Sequence, residues 1–76
     1  MTDTHTKLLS EAEFDVLILT AQGLTAEDIA LVRGTSSHTV RHQRYTINIK
    51  LNARSIAHAV SIAYRTGILT VRRVGQ

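Results

Sequence analysis

The chain has 76 residues, no Cys and a formal net charge of +3, which allows one domain, burying only about 60% of its unfolded surface, and excludes a disulfide framework or a thiolate zinc site. The longest apolar run, Val16 to Leu19, is far too short to cross a bilayer, and Met1 to Lys7 lacks the apolar centre of a secretory signal, so a soluble, cytoplasmic protein is expected. All six acids (Asp3, Glu11, Glu13, Asp15, Glu27, Asp28) lie in the first 28 residues beside a single base, Lys7, while the remaining 48 carry eight bases and no acid.

Ser10 followed by Glu13 forms a capping box and predicts a helix over Glu11 to Gln22, stopped by Gly23. Phe14, Leu17, Ile18 and Ala21 recur on it at three and four, with Val16 and Leu19 widening the apolar surface. Thr25 caps a second, shorter helix, with Glu27 and Asp28 placed well against its dipole. It runs through Ile29 and Ala30 to about Arg33 and ends at Gly34.

After a tight turn at Thr35 and Ser36, Ser36 or Ser37 caps a third helix reaching about Leu51. Val40, Ile47 and Leu51 form its buried side, and Asn52 supplies the stop. Ser55 opens a fourth helix, in which Ile56, Ala59, Val60, Ala63 and Tyr64 form a stripe closing at Gly67. The tail from Ile68 to Gln76 is left unassigned. The expected organisation is a flexible N-terminal arm over 1–8, a folded domain over 9–69 and a basic C-terminal tail over 70–76.

A short helix, a turn containing Gly and a basic helix make a helix-turn-helix. In that motif the second helix enters the major groove of double-stranded DNA, so it needs one polar or basic face and one apolar face. Arg41, His42 and Tyr45 share such a face, opposite Val40 and Ile47. The charge asymmetry is the electrostatic footprint of a polyanion-binding surface, against the plainer alternative of a solvated basic face.

The sequence resembles the LuxR/GerE-type DNA-binding domain of bacterial transcription regulators from about Leu9 to Leu69. The resemblance is carried by Leu9-Ser10-x-x-Glu13-x-x-Val16-Leu17 and Ala21-x-Gly23-Leu24-Thr25. It continues through Asp28-Ile29-Ala30, Ser36-x-x-Thr39-Val40-Arg41, Ile47-x-x-Lys50-Leu51, Arg54, Ala59-Val60 and Gly67-Ile68-Leu69. No one segment is specific; their order and spacing are. It implies an all-α, four-helix fold whose third helix reads the major groove and whose fourth helix pairs with a second copy. With eight residues ahead of Leu9, the chain resembles the members that consist of this module alone, with no sensing domain.

The resemblance places Arg41 at the family's basic position after Thr-Val, as the first candidate for a base contact, because guanidinium reads guanine O6 and N7 bidentately. His42, Tyr45 and Arg44 are expected in or beside the groove. Thr25, Ser37, His38, Thr39, Gln43, Lys50 and Arg54 are expected on the DNA backbone, with capping as the alternative role of Thr25 and the serines.

Five positions depart from the family, three of them on the second and third helices. Gln43 stands where His is usual. Arg44 stands where an aliphatic residue is usually buried, and Arg33 where the second helix ends in Leu. A buried unpaired guanidinium is very costly, so these arginines are expected to snorkel along the core edge, or Leu31 or Val32 to fill the gap at Arg33. Phe14 and Ile18 replace polar residues, which marks them as a partner surface for RNA polymerase, a regulator or a second copy, unless a rotated helix buries both. Ile56, Ala59, Ala63 and Tyr64 are candidates for the dimer seam.

Three functional classes follow: a sequence-specific transcription regulator, an architectural or accessory DNA-binding factor in recombination or phage development, and a protein-interaction module using Phe14 and Ile18. There is no paired acid and base, nucleophile elbow, phosphate-binding Gly loop or metal-ligand cluster, so neither enzymatic activity nor a cofactor is expected.

Overall fold

A computed structural model of the chain describes residues 8–70. The expected arm and tail, Arg72 and Arg73 included, lie outside these residues apart from Leu8 and Thr70. Between Ser10 and Gly67 the chain forms four helices: α1 over Glu11–Ala21, α2 over Ala26–Arg33, α3 over Ser37–Leu51 and α4 over Ile56–Thr66.

Each helix starts at a side-chain cap. The Ser10 hydroxyl accepts from the Glu13 amide at 3.1 Å, and Glu13 Oε1 accepts from the Ser10 amide at 3.0 Å. Thr25 and Asp28 repeat that reciprocal pair at 3.1 and 3.3 Å. Ser36, not Ser37, caps α3 through the Thr39 amide, and Ser55 caps α4 through the His58 amide. These bonds satisfy amides that have no partner within the helix.

The ends are as local as the starts. Gly23, Gly34, Asn52 and Gly67 all have positive φ, the left-handed turn that lets the following amides fold back on the last carbonyls. Thus the Leu24 amide donates to Leu19, Thr35 to Ala30 and Ala53 to Asn48.

The core is built from every helix. Val16 and Leu17 of α1, Ile29 of α2, Val40 and Ile47 of α3, and Ala59 and Ala63 of α4 are wholly buried. Leu9 before α1 and Leu69 after α4 close the cluster at its two ends. α3 packs against all three other helices, so it forms the spine of the domain and its free side is fixed by the rest.

Two expectations about packing are corrected. Leu31 and Val32 do not fill a gap at Arg33: they are 83% and 64% exposed, while Arg33 leaves the α2 end to pair with Asp15 of α1 at 2.8 Å. Ala59 and Ala63 cannot form a dimer seam, because the three-and-four spacing puts them on the inner row of α4. Ile56 is half-buried at the edge of that row, and Tyr64, 40% exposed, is the only large residue of the four turned outward. Phe14 and Ile18, for which a partner surface and burial were both open, are half-buried against the core and line a groove with Ala21, Tyr64 and Ile68.

Candidate nucleic-acid interface

The helix-turn-helix is α2, the turn Gly34 to Ser36, and α3. Residues His38, Arg41, His42, Tyr45 and Ile49 recur at three and four along α3 and are all exposed, which puts them on one continuous strip. Tyr45 and Ile49 are 62% and 61% exposed. No acid lies anywhere on α3. Thr39 is exposed at the N-terminal end of the strip, and Ser37 is half-buried beside it.

Arg41 is held in place before any ligand arrives. One guanidinium nitrogen donates to Ser37 Oγ at 3.2 Å and the other pairs with the Glu27 carboxylate of α2. The two partners of that ion pair remain more than half exposed, so the guanidinium faces solvent while its direction is set.

Arg44 behaves differently from a groove contact. Its side chain runs inward along the core edge, donating from Nε to Thr20 Oγ1 at 3.2 Å and from a terminal nitrogen to the Leu24 carbonyl at 3.0 Å. Burial lowers its pKa, and Arg41 adds to the effect while Glu27 opposes it. The snorkelling expected of it is seen, but it ends on Thr20 and Leu24 rather than at the exposed strip.

Lys50 also points elsewhere. It lies nine residues beyond Arg41, about two and a half turns round the helix, and pairs with Glu13 of α1 at 2.8 Å. Burial pushes the Glu13 pKa up, but the hydrogen bonds from Lys50 and the Ser10 amide outweigh it and hold the carboxyl below its ordinary value. Thr25 is engaged in capping. Gln43 is half-buried with Oε1 turned into the protein, and that oxygen, like Asn48 Oδ1, has no hydrogen-bond partner among the described residues. Arg54 is exposed beyond the C-terminal end of α3, lining a shallow groove with Tyr45, Asn48 and Ile49.

Sequence reasoning missed the acids. Asp15, Glu13 and Glu27 each hold one base, Arg33, Lys50 and Arg41 respectively. Part of the charge asymmetry is therefore internal complementarity between α1 and α2 on one side and the basic residues that cross to them. The segregation of acids into α1 and α2 was the available signal. His58, given no role from sequence, accepts the Arg54 amide on Nδ1 at 3.0 Å and so ties the α3–α4 turn.

Residues 7–63 match the family described as bacterial regulatory proteins, luxR family. The chain is 43% identical over 63 residues to the transcriptional regulatory protein YdfI of Bacillus subtilis strain 168, covering 83% of this chain and 30% of that protein. It is 38% identical over 60 residues to the transcriptional activator protein PhzR of Pseudomonas fluorescens, covering 79% of this chain and 25% of that protein. The chain thus spans less than a third of either relative. No helix among the described residues is long and apolar enough to cross a membrane. With a helix-turn-helix whose second helix carries an exposed strip free of acids, a core closing from Leu9 to Leu69, and a match over most of its length, the chain belongs to the luxR family of bacterial regulatory proteins.

Proposed function

We propose that this chain is a sequence-specific regulator of transcription that binds double-stranded DNA with α3 in the major groove. The observation that carries this reading is the exposed strip His38, Arg41, His42, Tyr45 and Ile49, opposite the buried row Val40, Ile47 and Leu51 of the same helix. A helix of this kind fits the groove of B-form DNA with its N-terminal residues foremost. Both similar proteins are named as regulators of transcription, in keeping with this role.

Within the strip Arg41 reads a base, His42 and Tyr45 flank it, and His38 and Thr39 meet phosphates beside Ser37 at the start of the helix. Arg54 supplies a further backbone contact. Arg44 and Lys50 act from behind, by tying α3 to α1 and to the approach of α2, and Thr25 caps α2. A second copy joins through the outward row of α4, where Ala57, Ser61 and Tyr64 are exposed, and the pair reads a site with two-fold symmetry.

The test is Arg41→Ala. Loss of one bidentate base contact weakens binding to a specific duplex about ten- to a hundredfold, with thermal stability close to that of the parent. Unchanged affinity in the folded variant removes this face of α3 from the interface.

A further inference from the structure

We infer that Glu27 is a specificity-determining residue: by occupying Arg41 in the DNA-free protein, its carboxylate suppresses binding through phosphate alone. The inference rests on the DNA-binding role proposed above.

α2 opens with two acids, and they are used differently. Asp28 completes the capping box with Thr25, which satisfies the helix start. Glu27 is free of that duty and crosses to α3, where it pairs with Arg41. Both partners are more than half exposed, and an ion pair so open to water adds little to stability. Its consequence is therefore in what Arg41 meets next.

Carboxylate and phosphate are the two anions that a guanidinium grips in the same forked geometry. Glu27 thus sits where a backbone phosphate would bind, and a phosphate approaching Arg41 must displace one negative charge with another. Guanine O6 and N7 are uncharged acceptors and meet less of that repulsion. Non-specific binding is almost wholly a matter of phosphates, so the carboxylate weakens it more than it weakens binding at a true site. Arg44 also feels the charges of both Glu27 and Arg41, as expected of one charge cluster at the α2–α3 junction.

The experiment compares the parent, Glu27→Gln, Arg41→Ala and the double variant on a random-sequence duplex and on a duplex enriched by selection, across a salt series. Glu27→Gln is expected to tighten the random duplex about tenfold at low salt and to steepen its salt dependence by roughly one phosphate, a change in slope of about 0.9. The enriched duplex tightens less than about threefold, so the specificity ratio falls. In the Arg41→Ala background the same substitution loses most of its effect. Equal tightening of both duplexes, or a gain that persists without Arg41, overturns the inference in favour of a general charge effect. Failure of the parent protein to bind any duplex overturns the DNA-binding reading itself and this inference with it, and it is seen before any variant is compared.

Discussion

Arg44 donates from Nε to Thr20 Oγ1 at 3.2 Å across twenty-four residues of chain, and the Thr20 hydroxyl in turn donates to the Val16 carbonyl at 2.8 Å. With its second bond to the Leu24 carbonyl, Arg44 fastens the middle of α3 to the end of α1 and to the approach of α2. A half-buried guanidinium is tolerable there because two acceptors replace the water it gives up.

Arg44→Ala is therefore expected to destabilise the fold by about 1–3 kcal/mol, since it removes the hydrogen bonds and strands the Leu24 carbonyl. Arg44→Met, which keeps most of the stem's packing, costs less. Thermal unfolding checks this: in a domain of this size about 1 kcal/mol shifts the midpoint by roughly 4–8 °C. Equal midpoints for parent and Ala variant would show that the tie contributes nothing.

The Glu13–Lys50 pair predicts an acid-sensitive component of stability. The Glu13 side chain is only 12% exposed. Although burial pushes its pKa up, the bonds from Lys50 and Ser10 bring it below the ordinary 4.5. The unfolded chain therefore binds the proton more readily than the folded one. The contribution is complete above pH 4.5 and is lost as pH falls through the lower folded value. Urea unfolding on both sides of pH 4.5 should show this loss in the parent and a flatter profile in Glu13→Gln. Parallel profiles would place the acid sensitivity elsewhere.

Asn52 ends α3 at φ 56° and is the one non-glycine residue with positive φ among those described. Alanine there meets the left-handed penalty without the local hydrogen bonding that lets Asn bear it, so Asn52→Ala should cost about 1 kcal/mol. Asn52→Gly should lie within a few tenths of a kcal/mol of the parent, its freedom at this φ offset by unfolded-state entropy. The two midpoints, measured side by side, separate backbone strain from any side-chain role. Equal losses in both variants would point to the side chain.

Much of the architecture was legible because helix punctuation is local. Ser10 with Glu13, Thr25, Gly34, Asn52, Ser55 and Gly67 set helix boundaries through chemistry within a few residues, and the structure keeps the first helix one residue short of the expected Gln22. What was not legible depends on partners far along the chain. Arg33, Arg44 and Lys50 find Asp15, Thr20 and Glu13 across eighteen, twenty-four and thirty-seven residues, and no periodicity encodes such pairs. A stripe on α4 wide enough for both core and partner does not say which row turns inward: Ala59 and Ala63 turn in, and Tyr64 turns out. Leu31 and Val32 look like core by composition, but α2 has already spent its inner face on Ala26, Ile29 and Ala30.

The most direct measurement is selection of bound duplexes from a random library by the purified protein at two salt concentrations, followed by sequencing. Binding by α3 from a two-fold pair predicts enrichment of a palindromic motif, with half-sites about one helical turn apart and affinity that falls steeply as salt rises. Recovery of duplexes with no shared motif, or no recovery at the lower salt, would contradict sequence-specific recognition by this face.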